Sequence, residues 1–205
     1  IEIPVSETKP RKPITGYGRK KAQIEEYLLQ EVRLNGFPAT VLHPGHIVGK
    51  GWNPVNPLGN HNPKVFEILA AGETLKIPNL GLETLHHVHA DDVAQAFINS
   101  INYWSVSVGE SFNVASNAAL TLRGFAEQAA AWFGKEAHLE FLAWEEWVKH
   151  FSKEDAEDTR GHLTHSTNAS IEKARRLIGY QPRYSSLAAV YESVMDLVER
   201  EEIII

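Results

Sequence analysis

The sequence predicts an α/β fold with parallel strands, and three observations carry that reading. Residues 17–35 place Ile24, Tyr27, Leu28, Val32 and Leu34 at near-helical spacing and stop at Asn35-Gly36, a helix terminator. Residues 37–42 follow as a short apolar, β-branched run, the kind that is buried on both faces of a parallel sheet, and they feed a turn at Pro44-Gly45. Helical and extended patterns then continue to alternate, with no internal repeat, heptad array or low-complexity linker.

Residues 52–63, WNPVNPLGNHNP, are dense in turn formers and read as an ordered loop. Its amide side chains, Asn60 among them, and the Trp52 indole can bind a polyol through paired donors, acceptors and a stacking face; equally, Pro and Asn simply make turns. A helix over 64–71, strands over 74–77 and 85–88, and a helix over 91–102 capped by Asp91 or Asp92 come next. A strand at 112–114 precedes a helix that Thr121 opens and that runs to 132 or 133, and residues 138–141 alternate enough for a short strand. Helical spacing returns over 144–150, 171–178 and 187–199, with Gly179 and Pro182 as stop signals. The charge run at 153–160 reads as a solvated helix face or a mobile lid.

Composition narrows the function. A net charge of −6 argues against a nucleic-acid partner, whose phosphates need clustered Lys and Arg. The one basic cluster, Lys9, Arg11, Lys12, Arg19, Lys20 and Lys21, reads as a solvated surface or as a phosphate-facing patch. No apolar run approaches the roughly 20 residues that span a bilayer, so no membrane partner is expected. With no cysteine, disulfides and thiolate metal sites are excluded, and a reducing cytoplasm is compatible.

Tyr17 and Lys21, in GYGRKK at 16–21, stand four residues apart at the head of the first helix. That spacing puts phenol and ammonium on one face, where the cation favours the phenolate and equips a tyrosine for general acid/base work. Three stretches follow in order: ATVLHPGHIVG at 39–49, HVHADDVA at 87–94 and GESFNVA at 109–115, with PVSE at 4–7 upstream and ARRLIGYQP at 174–182 downstream. In that order they resemble the extended short-chain dehydrogenase/reductase family, in its NAD(P)-dependent epimerase/dehydratase branch. The resemblance runs nearly end to end. No G-x-G-x-x-G or G-x-x-G-x-x-G occurs, so the chain reads as the second half of such an enzyme, its partner being the N-terminal half of the same polypeptide.

The resemblance implies the C-terminal part of a Rossmann-type doubly wound parallel sheet plus a small α/β substrate-binding domain. Residues 1–50 would hold the catalytic helix and a late strand, and 51–205 mostly the substrate domain, with 85–115 returning to the sheet. It implies that Tyr17 exchanges a proton with a substrate hydroxyl, that Lys21 also holds the nicotinamide ribose of NAD or NADP, and that backbone near Pro44, Gly45 and Ile47 approaches the cofactor. His46, Trp52 and Asn60 are the substrate-side expectations, for a small polar hydroxyl or carbonyl compound such as a sugar derivative. His43 replaces a common Arg. Leu85 stands where nucleotide-sugar epimerases commonly use Arg on the substrate diphosphate, which speaks against such a substrate. His86, His87 and His89 invite a metal reading, but His87 and His89 share a strand face that His86 leaves, and no metal is expected there. A cytoplasmic homodimer packed through the first helix completes the expectation, and the rival is a non-catalytic NAD(P)-binding sensor of the same fold.

Overall fold

The computed structural model describes residues 3–205. Helix α1 (Gly16–Asn35) leads to strands β1 (Val41–Pro44) and β2 (His46–Val48), then α2 (Lys64–Ala71), β3 (Thr74–Pro78), β4 (Thr84–Leu85) and β5 (His87–His89). Next come α3 (Ala90–Asn102), α4 (Trp104–Ser107), β6 (Ser111–Val114), β7 (Leu120–Thr121), α5 (Leu122–Trp132) and β8 (His138–Leu142). Helices α6 (Trp144–Trp147), α7 (Lys153–Leu163), α8 (Glu172–Ile178) and α9 (Ser186–Glu199) complete the chain, and a 3-10 turn over Val148–His150 ends what the spacing read as one helix over 144–150. No helix among the described residues is long and apolar enough to cross a membrane.

Three strand pairs are parallel: β1 with β6, β2 with β5, and β3 with β8; β4 and β7 run antiparallel. The expected strand over 37–42 starts later. Gly36 caps α1 in a left-handed conformation, Phe37 is exposed, Gly109 N–H donates to the Ala39 carbonyl at 2.8 Å, and the strand itself begins at Val41, whose N–H donates to the Glu110 carbonyl at 3.0 Å. The expected Pro44-Gly45 turn is a change of partner in extended chain. Gly45 donates to Val114 and His46 donates to His86, both at 2.9 Å, so the backbone leaves β6 for β5 within one residue. A Cβ at Gly45 would lie 2.3 Å from the His86 carbonyl oxygen, which is why only glycine serves.

The expected strand over 85–88 is broken at His86, and α3 is capped by His89 rather than by Asp91 or Asp92. Nδ1 of His89 accepts from Asp91 N–H at 3.1 Å, while its ring stacks on Tyr184 at 3.8 Å. Asp92, buried, instead accepts from the backbone of Arg183 and Tyr184, pinning the α8–α9 connection onto α3.

Among the described residues two apolar cores result. One joins Val88, Val93, Ala96, Phe112, Val114, Ala174, Ile178 and Tyr180, sealing α3 and α8 onto β5 and β6. The larger gathers Phe66, Leu69, Leu75, Ile77, Leu85, Leu122, Phe125, Trp147, Val190 and Val194 between α2, α5, α9 and β3. Helix α1 contributes only Glu25 to the buried residues: Ile24, Tyr27 and Leu34, the expected inward stripe, are exposed, and Leu28 and Val32 are half-buried.

Candidate active site

Thr15 caps α1, accepting from Gly18 N–H at 3.0 Å, and so fixes the first turn, which carries Tyr17 with Lys21 one turn further on. The two side chains share a face, with Lys21 Nζ 5.4 Å from the centre of the Tyr17 ring. Tyr17 is 73% exposed. Lys21 lines a cavity of about 620 Å³ together with Lys9, Arg11, Lys12, Glu25, His43, Asn113 and His165, which puts four cations of the basic cluster around one space.

The floor of that cavity is an acid that sequence reasoning missed. Glu25 is 8% exposed; it accepts from Arg11 through both oxygens, Nε to Oε2 at 2.9 Å and Nη2 to Oε1 at 2.8 Å. His43 Nε2 lies 2.9 Å from Glu25 Oε1 and 2.9 Å from Arg11 Nη2. Burial pushes the Glu25 carboxyl up, but the hydrogen bonds and charges of Arg11 and His43 outweigh it and hold the group at about 2. Glu25 thus takes its guanidinium partner from Arg11 upstream of the helix and its imidazole partner from His43 on β1. The signal available in the sequence was spacing, since Glu25 follows Lys21 by one helical turn.

Asn113, on β6, ties the segment before α1 into the fold. Its N–H donates to Glu7 Oε1 at 2.7 Å, and its amide donates to the carbonyls of Val5 and Ser170 at 3.1 Å each. Pro44 ends β1, Gly45 makes the partner switch, and Ile47 packs half-buried against the smaller core.

His46 points into a group of imidazoles, 4.9 Å from His162 edge-on and 5.6 Å from His87 by ring centres. Burial, and then the neighbouring histidines, hold it well below the ordinary 6.5, so it is neutral at neutral pH. Trp52 is 45% exposed at the entrance to the 52–63 loop. Asn60 is buried and occupied inside that loop: its Oδ1 accepts from Asn56 and its Nδ2 donates to Thr159 at 3.0 Å. As folded, its amide holds the loop to α7.

His86, His87 and His89 do not converge. His86 Nε2 donates to the Ser116 carbonyl at 2.9 Å while Nδ1 accepts from Ala169 N–H; His87 Nε2 donates to the Val55 carbonyl at 3.1 Å; His89 Nε2 meets Glu192 Oε2 at 3.1 Å. Leu85 is fully buried in the larger core.

Set beside known proteins, the chain is 24% identical over 208 residues to the UDP-glucose 4-epimerase of Streptococcus mutans, covering 94% of this chain and 57% of that one. It is 29% identical over 177 residues to the chloroplast stem-loop binding protein of 41 kDa b of Arabidopsis thaliana, covering 85% and 43%. The crystal structure of UDP-glucuronic acid 4-epimerase from Bacillus cereus in complex with NAD superimposes with a TM-score of 0.70 at 18% identity, over 96% of this chain and 56% of that one. The chain thus spans about half the length of these relatives, and the superposition makes the fold Rossmann-type α/β. Residues 2–115, more than half of the sequence, match one family throughout. By that match and by its fold, the chain belongs to the NAD dependent epimerase/dehydratase family.

Proposed function

We propose that the chain supplies the acid–base half of an NAD(P)-dependent oxidoreductase or isomerase acting on a small polar hydroxyl or carbonyl compound, such as a sugar derivative. The observation that carries this is the Tyr17/Lys21 pair on one face of α1, with Lys21 opening onto the cavity beside β1 and β6. Tyr17 exchanges a proton with the substrate hydroxyl, and Lys21 stabilises the phenolate that results. A nicotinamide, when bound, supplies hydride acceptance and donation. The lysines around the cavity suit its phosphates and ribose, and Lys21, with the backbone of Pro44, Gly45 and Ile47, would hold it.

His46 and Trp52 stand on the substrate side. Leu85, sealed in the core, cannot touch a diphosphate, which supports a substrate without a nucleotide. The outer edge of β1 pairs with no strand among the described residues, and the apolar side chains of α1 lie open. In this reading the mononucleotide-binding half of the same polypeptide covers that edge, α1 is the face for a homodimer, and the family points to the cytoplasm, with which a chain without cysteine is compatible.

The test is titration of the whole protein with NADH and with NADPH, followed by turnover on a panel of aldoses and sugar acids. Tyr17→Phe should keep dinucleotide binding and lose turnover by about 100-fold or more. Retained turnover in Tyr17→Phe overturns the assignment.

A further inference from the structure

We propose that His61, Asp158 and His162 form a binding site for a first-row divalent cation of the zinc type. The three residues can each offer one ligand atom, and those atoms all lie within 4.8 Å of one another. Asp158 and His162 are one helical turn apart on α7 and so share a face; His61 comes from the facing 52–63 loop. One carboxylate serves both rings: His61 Nδ1 is 2.8 Å from Asp158 Oδ2, and His162 Nδ1 is 3.4 Å from Asp158 Oδ1.

The site stands on a built scaffold. The Gly59 carbonyl holds the His162 ring at Nδ1, 2.8 Å away, and the buried Asn60–Thr159 hydrogen bond locks α7 against the loop. Supports of this kind orient ligating histidines. The adjoining cleft is lined by His61, Glu154, Asp155 and Asp158 and by no Lys or Arg, so its field favours a cation. A donor set of two imidazoles and one carboxylate selects zinc-like ions over magnesium or calcium, which prefer oxygen ligands throughout. His46, edge-on to His162 with ring centres 4.9 Å apart, makes no side-chain hydrogen bond among the described residues and brings a further imidazole beside the group. The site rests on none of the residues assigned above to proton transfer or cofactor.

The test is calorimetric titration of the chelator-stripped protein with zinc chloride, with bound metal counted by elemental analysis. One equivalent is expected, with affinity at least about tenfold weaker in His162→Ala and in Asp158→Asn. His61 is half-exposed, so His61→Ala should fold as the parent does, checked by circular dichroism and thermal unfolding without metal. Zinc should raise the melting temperature of the parent and leave that of His61→Ala/His162→Ala unchanged. No zinc uptake by the parent, equal uptake by a folded His61→Ala, or equal competition from magnesium would each overturn the site.

Discussion

Helix α1 is longer than α9, 20 residues against 14, yet α9 buries seven side chains and α1 one. Both have amphipathic sequences. What differs is the surface each meets. Helix α9 lies on β2, β5 and α5 and closes the larger core with Val190, Val194 and Leu197, and its Ser193 exchanges hydrogen bonds with Gly49 at 2.7 and 2.9 Å. Helix α1 is tied to β1 and to the segment before it by a carboxylate, through His43, Glu25 and Arg11. The periodicity of a helix therefore says that it has an apolar face, while the presence of a cover decides whether that face contributes to stability.

The largest effect lies on the α9 side. Phe125 is fully buried against Phe66, Trp132 and His87, with ring centres 5.4 to 6.4 Å apart. Phe125→Ala should cost roughly 3–5 kcal/mol in urea unfolding followed by circular dichroism. A loss near zero would break the comparison at its stronger end.

The same contrast explains how much was legible in the sequence. Elements with their own caps and local spacing were readable: α2 and the β8 strand appear close to where the pattern puts them, and Thr121 caps α5 through Gly124 N–H at 3.1 Å. The Tyr17/Lys21 face was readable because four-residue spacing is a local property. Features set by distant partners were not. The switch at Gly45 depends on the His86 carbonyl 41 positions on, the break at His86 on Ser116 and Ala169, and the ion pair at Glu25 on a segment 14 residues upstream and a strand 18 residues downstream. Likewise, the charge run at 153–160 does more than face solvent: Asp155 and Asp158 meet Asn62 and His61 across the loop.

Glu25 sharpens the comparison by chemistry. Its folded value near 2 lies below the ordinary 4.5, so the unfolded chain binds the proton more readily and the group adds stability above about pH 4.5. That contribution, at most roughly 3 kcal/mol, fades as the pH falls from 4.5 towards 2. Glu25→Gln should therefore unfold at lower urea than the parent at pH 7, with the gap narrowing steadily below pH 4.5. A gap that is the same at pH 7 and pH 3 would mean that α1 is held by something other than this charge.

The smallest expected effect is the sharpest test of all. Tyr27 is 61% exposed on α1, and truncating a side chain that touches little alters stability by about 0.5 kcal/mol or less. Tyr27→Ala should thus leave the urea midpoint of this chain nearly unchanged, in contrast to Phe125→Ala. In the two-part, dimeric arrangement proposed above, the same substitution discriminates between two states of the helix. If the rest of the sheet or a second subunit covers α1, Tyr27 becomes a packed aromatic and its truncation costs several kcal/mol there. A small effect in both settings would mean that the apolar stripe faces solvent even in the whole protein, and the proposed cover would have to be sought elsewhere.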